Sequence, residues 1–356
     1  MKIAIFGLTV SSSWGNGHAT LWRGLIGALA AQGHEVIFYE RDVPWYAGHR
    51  DLAELPGAAL VIYNDWQDVL ARAADFVDAD ALFVTSYCPD AVAASRLIAD
   101  RARGVRVFYD LDTPITLGRL AAGRDVEYLP PEGLGAFDLV LSYTGGPALD
   151  ALEKQLGAQR TAPLYGHVDP DVHRPVAAQP MFGGDLSYLG TFAEDRQALV
   201  ERLFLEPARR RPEMRFVLGG SGYPQDFPWT DNIWFMRHVA PPDHPAFFCS
   251  SRATLNVTRR DMAAMGWCPS GRLFEAASCG APILSDDWDG LDAFFTPDEE
   301  ILLVSTPDDV LAALDRDDIE LQRMAARARE RTLSEHSSAE RARELVGLLQ
   351  TAPEYA

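Results

Sequence analysis

Arg272 and Glu275 stand three residues apart at the head of a run of small residues, Ala276-Ala277-Ser278-Cys279, that stops at Gly280. Ala281-Pro282-Ile283-Leu284 then reads as the start of a buried strand. A guanidinium and a carboxylate at a helix start, ahead of such a strand, belong at the open end of a parallel sheet. Ligands collect there in open α/β folds, and the unpaired amides of a helix start favour anions such as phosphate. Ser270, Gly271 and Arg272 are therefore placed to meet phosphate oxygens. Without a ligand, Glu275 reads as an acid favoured by the helix dipole and Arg272 as half of a surface ion pair.

Other groups of residues could share that chemistry. Tyr188-Leu189-Gly190-Thr191 is followed by Arg196. A glycine lets backbone approach a diphosphate closely, and an arginine on the next helix can clamp it with two parallel bonds. Leu218-Gly219-Gly220-Ser221-Gly222 is a second flexible strand end, and Arg237-His238-Val239 a third strand-end turn. Asp286 and Asp287 close the strand after Gly280 and could reach sugar hydroxyls.

In the first half, Gly15-Asn16-Gly17-His18-Ala19-Thr20 occupies the place of a dinucleotide fingerprint, with Glu40 ending the next strand as a ribose-binding acid would. Thr20 replaces the third glycine and the loop from Gly7 is too long for that turn, so a dehydrogenase fits poorly. His18 titrates near neutrality and could be a general base; equally, it could be a simple helix-start histidine. Asp110-Leu111-Asp112-Thr113-Pro114 holds a D-x-D pair of the kind that binds a divalent cation. Such pairs arise readily by chance, as in Asp78-Ala79-Asp80, and no metal is expected.

These positions need a scaffold of alternating strands and helices. Strand-like runs fall at residues 2–7, 35–40, 59–63, 81–86, 105–109, 139–143 and 162–165. A second series falls at 186–190, 215–219, 233–235, 253–257, 282–285 and 301–304. Leu21, Leu25 and Leu29 recur at helical spacing until Gly33, and helical runs are expected at 89–102, 195–210, 308–314, 321–333 and 339–349. Residues 166–184, rich in proline and glycine, read as the linker. The pattern is that of two doubly wound α/β domains.

Composition excludes several classes. The chain of 356 residues carries a net charge of −19, which opposes a phosphate-neutralising nucleic-acid surface. No run approaches membrane-spanning length, and the four cysteines show no C-x-x-C pair. A cytoplasmic protein with reduced thiols is the expectation.

Phe274-Glu275-Ala276 ahead of Cys279-Gly280-Ala281, the Tyr188-Leu189-Gly190-Thr191 turn and the glycine loop with His18 resemble the GT-B glycosyltransferases. The likeness is greatest to the branch holding the spore maturation protein CgeB and the "glycosyl transferases group 1" domain, which carries a similar D-x-D-T-P. It is firm from about 188 to 304 and looser before. The resemblance implies two Rossmann-like domains facing across a cleft, with the last helix crossing back to the first. Residues 1–170 with 335–356 would bind the acceptor, and residues 171–334 a nucleotide diphosphate sugar, UDP-type by family likeness. It further implies Glu275 on the ribose, Gly190, Thr191, Ser270, Gly271 and Arg272 around the phosphates with Arg196 as clamp, Gly220 beneath the donor and His238 near the nucleobase. His18 and Asp112 would line the acceptor site. The family likeness points to metal-independent transfer, without a cofactor, that retains anomeric configuration. The retaining relatives carry a second glutamate eight positions before the ribose acid; here that position is Trp267. The departure leaves open a sugar-nucleotide epimerase of the same fold, or a protein that binds the sugar nucleotide without turnover. The acceptor, whether small molecule, glycan or protein, is not specified.

Overall fold

The computed structural model describes residues 1–351 and gathers their strands into two separate sheets, both parallel throughout. Apolar runs buried on both faces are what a parallel sheet covered by helices requires. By its internal contacts the chain divides into one unit of Met1–Tyr165 with Ser338–Ala356 and a second of Gly166–Ser337. The Gly166-His167-Val168-Asp169-Pro170 stretch, expected with the first half, thus belongs to the second unit. The last five positions of the expected 335–356 segment lie outside the described residues.

The first unit is built on β1 (Lys2–Gly7), β2 (Glu35–Arg41), β3 (Ala59–Tyr63), β4 (Ala81–Thr85), β5 (Val105–Asp110), β6 (Leu139–Ser142) and β7 (Thr161–Pro163). Their order is β3-β2-β1-β4-β5-β6-β7, so the sheet reverses direction of growth between β1 and β4. Trp22, Leu25, Ile26 and Leu29 of the Gly17–Ala31 helix pack on one face. Ala342, Leu345 and Leu349 of the Ser338–Gln350 helix enter the same core, so the chain's last described helix returns to its first. On the other face Phe6, Tyr39 and Phe76 meet ring to ring.

The second unit holds β8 (Gly184–Leu189), β9 (Phe216–Gly219), β10 (Ile233–Met236), β11 (Ser251–Asn256), β12 (Ile283–Ser285) and β13 (Leu302–Leu303). The order β10-β9-β8-β11-β12-β13 repeats the doubly wound plan, with its reversal between β8 and β11. The expected 195–210 helix is interrupted: Glu201–Leu205 is a wide π-turn between helical residues Glu194–Val200 and Glu206–Arg210. Pro207 lacks the N–H that an unbroken α-helix would use here, which accounts for the irregularity. Among the described residues no helix is long and apolar enough to cross a membrane.

Candidate active site

The reversal between β8 and β11 is where a doubly wound sheet binds its ligand, and the chain leaves β8 there through Gly190 and Thr191. Gly190 N donates to Gly219 O at 2.8 Å, and Gly190 O accepts from the Tyr223 hydroxyl at 2.9 Å. Gly220, at φ +154°, lies so close that an added Cβ would stand 2.0 Å from Gly190 O. Two glycine turns at neighbouring strand ends therefore stack directly, which only residues without Cβ permit.

Arg196 folds back over this turn and donates to Thr191 O, yet its buried Nε has no partner. The Tyr188 hydroxyl below is likewise buried and unpartnered. Arg272, second residue of the Gly271–Ser278 helix, is half-buried. Burial holds its proton affinity below the usual value, and the charge of nearby Arg196 lowers it further. Glu275, with the Tyr188 and Tyr223 rings, acts in the opposite sense. Two guanidiniums thus lie near one another, Arg196 with a spare donor at Nε, and Glu275 stands one helical turn on from Arg272. Burying like charges is unfavourable unless an anion bridges them.

The position of Glu275 corrects one expectation. Ser270 takes the N-cap position without a side-chain capping bond, and Gly271 is the first helical residue. Glu275 is consequently past the first turn, beyond the reach of the dipole effect that the simple alternative needed. It shares a helix face with Arg272 three residues earlier.

The first unit carries a different cluster. His18 Nε2 stands 3.7 Å from Asp112 Oδ2, and His18 Nδ1 is buried without a partner. Burial pushes the imidazole below its ordinary 6.5, against the opposing pull of Asp112. Tyr87, in the left-handed region at φ +64°, lays its ring 5.8 Å from His18 and 5.0 Å from Tyr128. Tyr128 in turn hydrogen-bonds Thr116 at 2.7 Å. Asp110 is fully buried, accepts from Asp112 N at 3.1 Å, and is pushed up to about 6 by desolvation. Of the D-x-D pair, then, one member shapes the turn and the other faces His18.

Glu40 has a structural task. Its fully buried carboxylate accepts from Val10 N at 2.8 Å, Ser11 N at 3.0 Å and the Ser11 hydroxyl. It ties down the long loop that the missing third glycine had signalled. Asn16 caps the following helix by accepting from His18 N at 3.1 Å, fixing where that histidine starts.

Comparison with known proteins bears on the fold. Residues 196–347 match a family model described as "Glycosyl transferase-like". Along the whole chain the structure is similar to sucrose-phosphate synthase from Thermosynechococcus elongatus, at 17% identity and a TM-score of 0.69, covering 98% of each chain. Anabaena HepE, in complex with UDP and glucose, gives 12% identity and a TM-score of 0.69 over 99% of this chain and 100% of that one. The catalytic domain of starch synthase IV from Arabidopsis thaliana, bound to ADP and acarbose, gives 13% and 0.68 over 99% of each. The chain has the GT-B fold. No curated protein matches the sequence.

Within the GT-B frame, Gly190, Thr191, Gly220, Arg196, Arg272 and Glu275 gather in the second unit, and His18 pairs with Asp112 in the first. His238 is exposed, two residues beyond β10. Trp267 sits in the left-handed region at φ +42°, donates its backbone N–H to Asp289 O at 2.7 Å, and presses its indole against Gly290. Asp286 is buried and accepts from both the N–H and hydroxyl of Thr258, at 2.9 and 3.0 Å, so its carboxylate is already engaged. Tyr223 and Tyr87 escaped the sequence reading, and Tyr188 entered it only as part of a strand-end motif, because a tyrosine in a strand or turn looks the same whether or not its hydroxyl has a task.

Proposed function

We propose that the chain is a glycosyltransferase that moves a sugar from a nucleotide diphosphate sugar to an acceptor hydroxyl. The observation that carries the reading is Arg196 folded onto the strand-end turn of Gly190 and Thr191 with the charge of Arg272 close to its own, and Glu275 one helical turn on from Arg272. Spare guanidinium donors suit a diphosphate, and a carboxylate beside them suits the vicinal hydroxyls of a ribose. A uridine donor is favoured, since HepE is described with UDP and glucose. Ser270 and Gly271 would add helix-start amides, Gly220 would let the donor approach, and His238 would border the base. This assigns the donor to the second unit and the acceptor to the first.

In the proposed reaction the acceptor hydroxyl attacks the anomeric carbon while the bond to the diphosphate breaks. The departing negative charge falls on oxygens facing Arg196 and Arg272, which stabilise it without a metal. His18 would accept the acceptor's proton. Asp112, 3.7 Å from Nε2, would stabilise the imidazolium that forms.

Family likeness favours retention of configuration. The His18–Asp112 pair favours a second reading, because a base-assisted single displacement inverts the anomeric centre. Proton NMR of the first product formed separates the two. The function itself is tested by a panel of nucleotides and nucleotide sugars in chelator, read by thermal shift and calorimetry. Binding of one nucleotide diphosphate series, with transfer only when an acceptor is supplied, supports the proposal. Conversion of the donor sugar without acceptor would indicate an epimerase, and binding without turnover a carrier.

A further inference from the structure

His173, His244 and Glu275 come together in the second unit, each offering a ligand atom within 4.8 Å of the others. Three separate pieces of backbone hold them there. His173 lies ahead of β8, its N–H donating to Asp169 O at 2.8 Å while its carbonyl accepts from the Ser278 hydroxyl at 2.5 Å. Glu275 projects from the helix that carries Ser278, one turn earlier. His244 opens the His244–Ser250 helix.

The imidazoles carry unused nitrogens. His173 is 2% exposed and its Nε2 has no partner. His244 Nε2 lies 3.2 Å from Val239 O, and a carbonyl can only accept, so this nitrogen carries the proton. The lone pair of His244 is thereby placed on Nδ1, which is buried and also unpartnered. A carbonyl behind the remote nitrogen is the support that metal-bound histidines commonly have. The Glu275 carboxylate makes no hydrogen bond or ion pair with any described residue, although the backbone carbonyl accepts from Cys279 N.

We propose that His173 Nε2, His244 Nδ1 and the Glu275 carboxylate form a binding site for a borderline divalent cation of the zinc class. Two imidazoles and one carboxylate are a known three-ligand set for that ion, with a fourth position left for water. Ligand atoms around a tetrahedral zinc stand about 3.3 Å apart, given bonds of about 2.0–2.1 Å. Small side-chain rotations from the present spacing would close the site. Resting on the proposed donor assignment, one consequence follows: the cation engages the carboxylate meant for the ribose, so metal and donor exclude one another. The site would act as an inhibitory input to an enzyme whose chemistry uses no metal.

The test uses the full chain, stripped with chelator and dialysed, then titrated with Zn²⁺ by calorimetry and with Co²⁺ by visible absorption. One equivalent should bind, with the intense visible bands of low-coordinate cobalt. His173→Asn and His244→Asn should each weaken binding tenfold or more, folding being checked by circular dichroism and by the thermal transition of the metal-free chain. Absence of stoichiometric binding, or binding indifferent to both substitutions, overturns the site. UDP affinity is measured separately in chelator, so a failure of the donor reading is seen independently. Where UDP binds in chelator, one equivalent of Zn²⁺ should raise its apparent Kd at least tenfold in the native chain but not in His244→Asn. An unchanged Kd would overturn Glu275 as the shared ligand.

Discussion

Replacing Arg272 by glutamine separates ligand binding from stability in opposite directions. In the free protein the Arg272 charge faces that of Arg196, and it has no hydrogen-bonded carboxylate of its own. Like charges near a protein surface repel by up to about 4 kcal/mol at contact distance, less as they separate, and Glu275 offsets part of this. Arg272→Gln keeps much of the buried stem and removes the repulsion. The unliganded variant should therefore melt at the wild-type temperature or a few degrees above, at roughly 2–4 °C per kcal/mol for a domain of this size. A charge-assisted bond to a phosphate contributes about 1.5–3 kcal/mol. Its loss should weaken UDP binding roughly ten- to hundredfold, at about 1.4 kcal/mol per decade. Differential scanning fluorimetry with and without nucleotide, followed by calorimetry, reads both quantities on one sample. A variant that melts several degrees lower yet binds UDP as before would refute the reasoning, because Arg272 would then be a packing residue.

Gly220→Ala should destabilise the second unit by about 2–4 kcal/mol in a urea titration, combining strain at φ +154° with displacement of the Gly190 carbonyl. Donor affinity should fall with it. Asp110→Asn tests a buried charge: a carboxyl held at about 6 instead of 3.8 is neutral in the fold at low pH and ionises at a cost as pH rises. Its stabilising effect is complete below 3.8 and lost through 6, so Asn should gain up to about 3 kcal/mol over wild type at pH 8 and nothing at pH 4. His18→Ala should lower kcat by about 10²–10⁴-fold and leave UDP affinity intact. Wild-type kcat/KM should hold down to pH 6.5 and fall only below it, because burial depresses the imidazole.

The strands were readable because each is a short apolar run bounded by glycine, proline or charge, and all thirteen lie within about two residues of expectation. Several helices were not, and they share a reason. Pro44, Pro114, Pro147 and Pro245 stand in the first turn of helices absent from the expected runs, where a missing N–H leaves no bond unmade. At the site, residues close in sequence were legible: Gly190, Thr191 and Arg196 lie on one turn, and Arg272 and Glu275 on one helix. The task of Glu40 was hidden, since nothing in a strand-end acid announces that it will accept three bonds from a loop some thirty residues earlier. His173 and His244 were hidden more deeply, being joined by the return of separate segments and not by any spacing.

The placing of Leu345 and Leu349 against Trp22 and Leu25 bears on how the chain is born. A ribosome delivers the Gly17–Ala31 helix early and the Ser338–Gln350 helix last. Throughout most of synthesis the first sheet must wait with an apolar flank uncovered, while the second unit emerges complete. Nascent chains stalled short of residue 338 should hold a protease-resistant second unit beside a first that chaperones still grip.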